Sequence, residues 1–164
     1  MTIFISGGAG FIGTNFVFHY LNQKNESLIV YDKLTYAGNK ENFKSLEKDQ
    51  RFKFIKGDIK DEDKLKKVIF EYKPNSIINF AAETHVDNSI EKPNNFIETN
   101  ILGTFSLLNV IKIYFETLKA EEKRNFIFLN ISTDEVFGSL KLSSMPSTEN
   151  SPFKPNSPYS ASKA

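Results

Sequence analysis

The 164 residues carry 21 Lys+Arg against 20 Asp+Glu, so no net field favours nucleic acid or an anionic membrane surface. Cysteine is absent, which excludes disulfides and thiolate metal sites and fits a reducing compartment. With 40% apolar and 25% charged residues, the chain is long enough for one soluble domain with a real core.

The first predicted element is a strand, "TIFIS" at 2–6. It is too short to be a signal-peptide core, and nowhere do 18 apolar residues run together, so the expectation is a cytoplasmic protein with no membrane contact. Glycines follow at once, in "ISGGAGFIGTNF", and open a helical pattern at 11–24. Gly8, Gly10 and Gly13 satisfy G-x-G-x-x-G, while Gly7, Gly10 and Gly13 give G-x-x-G-x-x-G. Glycine is needed where backbone must approach a pyrophosphate at a helix N-terminus, where free N–H groups and partial positive charge meet the anion.

A second strand, "SLIVYD" at 27–32, ends in Asp32, 19 residues beyond Gly13. A carboxylate there can accept both ribose hydroxyls and repels a 2′-phosphate, which favours NAD over NADP. Lys33 beside it keeps NADP open. The plain alternative is a tight turn with a surface aspartate.

A helix is expected at 39–48, a third strand at 51–58 and a helix at 61–72. Asp58 closes the third strand as a candidate adenine contact or a solvated acidic turn. The fourth strand, 76–82, runs into "NFAAETHVDNSI". Small Ala81 and Ala82 allow a ligand to lie against backbone, and Thr84, His85, Asp87 and Ser89 gather polar groups beyond them. His85 serves equally well as a helix cap.

The longest helical pattern, 93–119, opens at Pro93 and places Phe96, Ile97, Ile101, Leu102, Phe105, Leu108, Ile111, Phe115 and Leu118 at helical spacing. It reads as a core-facing stripe or a dimer face. The fifth strand, 125–132, ends in "NISTDEVFG", with Thr133, Asp134 and Glu135 at its mouth. These acids are either chemical groups or the first turn of a capped helix. The segment 138–158 reads as a loop. "SPYSASKA" then puts Tyr159 and Lys163 one helical turn apart. A lysine so placed, with a cationic nicotinamide, should lower the phenol's pKa and make it a base for a sugar hydroxyl. A helix of 157–164 is too short to be stable alone, so Tyr159 and Lys163 are expected to be mobile, and the exposed sheet edge to invite association.

Strands alternating with helices predict a doubly wound parallel α/β sheet, a Rossmann-type dinucleotide-binding domain spanning 1–164. The strings "GGAGFIG", "YDKLTYAGN", "GDI", "AAETHVDNSI", "STDEVFG" and "PNSPYSASKA" resemble the extended short-chain dehydrogenase/reductase family, and within it the nucleotide-sugar 4,6-dehydratases. The resemblance implies bound NAD, a nucleotide-sugar substrate such as dTDP-glucose, and a homodimer. It implies Tyr159, Lys163 and Thr133 for oxidation at C4, Glu135 as base at C5 and Asp134 as acid at C6. It places Gly7, Gly10, Phe11, Ile12, Gly13, Asp32, Lys33, Leu34, Thr35, Asp58, Ile59, Phe80, Ala81, Ala82, Glu83, Thr84 and Thr99 at the cofactor, with Tyr159 and Lys163, and Thr84, His85 and Thr133 at the sugar. Phe137 stands where the family usually carries tyrosine, Thr84 where serine is commoner, and Asn88 where arginine is frequent. The family's chains are longer, so two other readings stay open: an NAD-binding module without catalysis, and a related epimerase or decarboxylase.

Overall fold

Five short parallel strands order the chain in the computed structural model, which describes residues 1–141 and 143–164. They are β1 (Thr2–Ser6), β2 (Ser27–Asp32), β3 (Phe52–Lys56), β4 (Ser76–Asn79) and β5 (Ile127–Asn130), in spatial order β3-β2-β1-β4-β5. The order reverses beside β1, because β2 and β4 pair with its two sides. In such sheets that reversal opens a crevice at the carboxyl ends of the strands. The sequence reading of β1 and β2 is met residue for residue, while β3, β4 and β5 are shorter than the expected 51–58, 76–82 and 125–132.

The helices are α1 (Phe11–Gln23), a 3₁₀ segment (Lys40–Leu46), α2 (Glu62–Tyr72), α3 (Val86–Glu91), α4 (Pro93–Phe96), a π-helical stretch (Ile97–Gly103), α5 (Thr104–Thr117), α6 (Ala120–Asn125), a 3₁₀ turn (Asp134–Phe137) and α7 (Pro158–Lys163). They fall into two compact units, one of 1–81 with 103–131 and the other of 82–102 with 132–164.

In the first unit the central strands β1, β2 and β4 are buried on both faces, which is why they read as nearly unbroken apolar runs. One face packs Phe4, Ile29, Tyr31 and Ile77 against Leu65, Val68 and Ile69 of α2 and Leu107, Val110, Ile111 and Tyr114 of α5. The other packs Ile3, Ile5, Leu28 and Val30 against Val17 and Leu21 of α1 and Phe43 of the 3₁₀ segment. The edge strand β5 is thinly covered, with Ile127 60% and Leu129 48% exposed, as expected of an unpaired edge.

The stripe assigned to 93–119 is corrected. Phe96 and Ile111 are buried, but Ile97, Ile101, Leu102, Phe105, Leu108 and Phe115 are exposed, and the inward face of α5 is Leu107, Val110, Ile111 and Tyr114. The run is apolar on more than one face, and its π-helical stretch changes the angular register, so a single 3.6-residue period picks the wrong side. By length and composition 93–117 could cross a membrane, yet α5 buries its inward face in the sheet core.

In the second unit α7 packs against α3, α4 and the turn 134–137. Its N-terminus is held by a reciprocal cap: Ser160 N–H donates to Ser157 Oγ at 3.0 Å and Ser157 N–H to Ser160 Oγ at 3.1 Å, with Pro158 in the first turn. Tyr159 is only 8% exposed and meets Phe96 edge-on at 6.3 Å. The expectation that Tyr159 is loose for want of packing is therefore not met, since tertiary contacts supply what a two-turn helix lacks. The loop after Phe137 is drawn back by Lys154, whose N–H donates to Val136 O at 2.9 Å; Leu142, within the predicted loop, lies outside the described residues.

Candidate functional site

In the first unit the glycine loop joins β1 to α1. Gly7 has φ +70°, and a Cβ on it would lie 2.3 Å from the Ala81 nitrogen. A Cβ on Gly13 would lie 2.6 Å from Gly7 O and from Gly8 Cα. Both are forced by backbone contact. Gly10 is different, because its Cβ would meet only Gly7 O, at 3.5 Å. Of the two glycine spacings the structure therefore selects Gly7, Gly10 and Gly13, since a Cβ on Gly8 would press only on side chains, Val30 and Ile5. Gly10 caps α1 with no side-chain hydrogen bond, and Phe11 and Ile12 stand 84% and 62% exposed beside that N-terminus. A helix start of this kind offers N–H donors and positive partial charge to a phosphate.

Asp32 is buried, and its carboxylate builds the cradle. Oδ2 accepts the Ala9 N–H at 2.9 Å and Oδ1 accepts the Leu34 N–H at 2.7 Å, leaving each oxygen a further lone pair for a hydroxyl. Leu34 sits at φ +59°, and Gly38 N–H closes the turn on Thr35 O at 3.1 Å. Lys33, the residue that kept NADP open, pairs with Asp58 at 2.7 Å. Burial alone raises the Asp58 pKa, but the Lys33 ammonium and the Lys60 N–H outweigh it and hold the carboxyl below its usual range. Ile59 is 4% exposed, its side chain within the sheet core, so its backbone is what it can offer a ligand. Phe80 also packs inward, 5.5 Å from Phe16, and its N–H donates to Ser6 O at 2.8 Å. Ala81 N–H donates to Asn79 Oδ1 at 3.2 Å.

The second unit begins at Ala82 and carries the candidate acid–base residues Thr133, Asp134, Glu135, Tyr159 and Lys163. Glu83 is held by Asn100, whose Oδ1 accepts the Glu83 N–H at 2.8 Å and whose Nδ2 donates to Glu83 O at 2.9 Å and to Ser162 Oγ at 2.8 Å. Thr84 and His85 are exposed, and Thr99 is half-buried on the π-helical stretch. His85 occupies the N-cap position of α3 but makes no side-chain cap bond there; its carbonyl accepts the Ser89 N–H at 3.0 Å.

Thr133 caps the 134–137 turn by accepting the Glu135 N–H at 3.2 Å, so Asp134 and Glu135 fall in its first turn with exposed side chains. The cap reading and the chemical reading thus coincide in one geometry. The phenol of Tyr159 faces the same group. Burial raises its pKa, a hydrogen bond with Thr133 lowers it, and the charges of Glu135 and Asp134 raise it further, for a net upward shift. Within the chain itself, desolvation and two nearby carboxylates favour the neutral phenol. Burial likewise pushes the Lys163 ammonium's pKa down. The Lys163 carbonyl accepts the Ser132 hydroxyl at 3.1 Å, and Ser162 Oγ donates to Tyr159 O at 2.6 Å, which ties α7 to the end of the fifth strand's loop and to Asn100.

Two residues escaped the sequence reading, Asn100 and Asn79. Each is an amide inside an otherwise apolar run, "TNIL" and "SIINF", and such a placement is the available signal for a buried polar role. Among the described residues no group of His, Asp and Glu is arranged to hold a metal ion.

The model of the GDP-mannose 4,6 dehydratase family matches residues 4–164. The dTDP-glucose 4,6-dehydratase of Haemophilus influenzae is 44% identical over the whole chain, which covers 48% of that relative. Among solved structures, a dTDP-glucose 4,6-dehydratase of Bacillus anthracis in complex with NAD superposes with a TM-score of 0.82 at 41% identity, over 99% of this chain and 47% of that one. A UDP-glucose 4-epimerase of Thermus thermophilus, also with NAD, gives a TM-score of 0.83 at 29% identity, over 99% of this chain and 47% of the other. The chain spans about half the length of the curated relatives it matches. Its Rossmann-type sheet, its glycine cradle and its Thr133–Asp134–Glu135 turn beneath Tyr159 are found in a chain that belongs to the GDP-mannose 4,6-dehydratase family of nucleotide-sugar enzymes.

Proposed function

We propose that this chain carries the cofactor-binding and acid–base part of an NAD-dependent dehydratase that converts dTDP-glucose to dTDP-4-keto-6-deoxyglucose. The observation that supports this most is the buried Tyr159 phenol facing Thr133, Glu135 and Asp134 within one unit. Oxidation followed by elimination needs a base for a hydroxyl, a base for a carbon acid and an acid for a leaving hydroxyl. Tyr159, Glu135 and Asp134 match those needs in number and type.

The residues present fit NAD. Gly7, Gly10 and the N-terminus of α1 take its pyrophosphate, Asp32 its ribose hydroxyls, and Lys33, Leu34, Thr35, Asp58 and the Ile59 backbone its adenosine end. Phe80, Ala81, Ala82, Glu83, Thr84 and Thr99 complete the lining, as the family resemblance implies. Held by these residues, NAD would supply a hydride acceptor for C4 of the glucose and a hydride donor for C6. Tyr159, with Lys163 and Thr133, removes the C4 hydroxyl proton as that hydride leaves. The C4 ketone acidifies C5–H, and Glu135 takes this proton. Asp134 protonates the C6 hydroxyl, which departs as water, and Glu135 returns its proton to C5 as C6 is reduced. Thr84 and His85 hold the sugar.

Replacing Glu135 by Gln in the complete protein tests the assignment. NADH absorbance should accumulate with dTDP-glucose while C5 deuterium exchange stops. Undiminished water release from that variant refutes Glu135 as the base, whereas C4 epimerisation with no water release, hardly altered by the substitution, moves the reading to an epimerase, which needs no C5 base. A second reading is a chain that binds NAD and catalyses nothing. It predicts NAD binding with no sugar-dependent absorbance change. The exposed Phe105 and Leu108 of α5, and Ile97 and Ile101 before them, favour a homodimer, and the absence of cysteine favours a cytoplasmic setting.

A further inference from the structure

The end of β4 carries a side chain that the mechanism above does not use. Asn79 is fully buried. Its Oδ1 accepts the Ser6 hydroxyl at 2.6 Å and the Ala81 N–H at 3.2 Å. Its Nδ2 donates to Asn130 Oδ1 at 2.8 Å and lies 3.5 Å from Thr104 Oγ1. One carboxamide therefore joins the ends of β1, β4 and β5 to the first residue of α5.

The two partners of its oxygen are those that matter for the glycine loop. Ser6 is the last residue of β1 and immediately precedes Gly7. Ala81 supplies the backbone against which Gly7 is pressed, with no room for a Cβ. Gly7 O in turn bounds Gly13, so any shift of Ser6 or Ala81 is handed on to the start of α1. A close-packed backbone contact transmits displacement because it has no slack to absorb it. On this geometry, and resting on the NAD reading above, we infer that Asn79 is a positioning residue for the dinucleotide: its oxygen sets the separation of the β1 and β4 ends, and so the placement of the pyrophosphate-binding N–H groups. It touches no reacting atom.

The inference divides the junction into two halves. The oxygen side, with Ser6 and Ala81, governs the cradle, whereas the nitrogen side, with Asn130 and Thr104, serves the sheet alone. Adenosine reports on Asp32 without the pyrophosphate, so the ratio of NAD to adenosine affinity isolates the cradle. Asn79→Leu and Ser6→Ala are compared with Asn130→Ala and Thr104→Val by NMR titration, which reads millimolar binding, alongside thermal unfolding.

Loss of a buried positioning hydrogen bond should weaken NAD about tenfold in Asn79→Leu and Ser6→Ala while adenosine changes less than about twofold. Asn130→Ala and Thr104→Val should lower the unfolding temperature with the ratio unchanged. If Asn79→Leu does not fold, Ser6→Ala carries the test, since it removes one hydroxyl. Wild-type NAD affinity in folded Ser6→Ala, or a fall in the ratio in Asn130→Ala as large as in Asn79→Leu, overturns the inference while leaving the NAD reading standing. A wild-type chain that binds adenosine but not NAD overturns both.

Discussion

Asn100 closes on Glu83 from both sides, accepting its N–H at 2.8 Å and donating to its carbonyl at 2.9 Å. A side-chain amide thus replaces the strand partner that the backbone lacks just past β4. The same Nδ2 reaches Ser162 at 2.8 Å, so one buried residue on a π-helical stretch fixes the segment ahead of Thr84 and the helix that bears Tyr159. Replacing Asn100 by Leu leaves Glu83's backbone groups without partners and should destabilise the second unit by about 2–3 kcal/mol. Urea unfolding measures this. Hydrogen exchange should show the amides of α7 losing protection before those of β1.

Gly7 and Gly10 should respond in opposite ways. Alanine at Gly7 meets the Ala81 nitrogen at 2.3 Å in a left-handed conformation, a strain costing about 3 kcal/mol or more. Alanine at Gly10, where φ is −73°, meets only a 3.5 Å contact and should change stability by less than about 0.5 kcal/mol. Its methyl projects where a pyrophosphate must approach, so NAD affinity should fall while the unfolding midpoint holds. Equal destabilisation by both substitutions contradicts this account.

Because Lys33 is paired with Asp58, it should not recruit a 2′-phosphate. Lys33→Ala is expected to leave the preference for NAD over NADP unchanged, whereas Asp32→Ala, which strips the acceptor from Ala9 and Leu34, should weaken both dinucleotides and lower stability. Calorimetric titration of each variant decides. The Asp58 pKa is depressed in the fold, so its contribution to stability is present above the ordinary aspartate pKa of about 3.9 and is lost as pH falls through the depressed value. Lys33→Ala removes the main cause of that depression and should therefore flatten the acid dependence of stability in that window.

The Tyr159 phenol is raised above its ordinary pKa of about 10 by burial and by Glu135 and Asp134. A raised value keeps the neutral form in the folded state. Its stabilising contribution is complete below about pH 10 and disappears as pH rises through the folded value. Glu135→Gln with Asp134→Asn removes the two charges that oppose ionisation, so the tyrosinate absorbance assigned by difference against Tyr159→Phe should appear at lower pH. An unmoved titration places the carboxylates too far away to matter. The Lys163 ammonium, with its pKa pushed down by burial, should titrate below an ordinary lysine when its side-chain resonance is followed by NMR.

Much of this arrangement was legible in the residues. Apolar runs bounded by polar ones located β1 and β2 to the residue, because a strand buried on both faces must be apolar at every position. The glycine spacing, Asp32 and the Ser-Thr-Asp-Glu turn were legible because each requires a residue type that few others replace: no Cβ, a carboxylate, a capping hydroxyl.

Other features depended on three dimensions. Which glycine triplet bears the backbone contact was settled by the 2.3 Å approach to Ala81, seventy-four positions along the chain. The inward face of 93–117 was decided by packing, because a run apolar all round has no preferred side until neighbours choose one. The direction of the Tyr159 shift was decided in the same way: local spacing names Lys163 as its neighbour, whereas desolvation, Thr133 and the acids of a turn far along the chain act on the phenol in the fold. Sequence determines which groups are available and how they repeat along an element. Burial and through-space electrostatics belong to the assembled fold, since they depend on residues that are near in space and far in the chain.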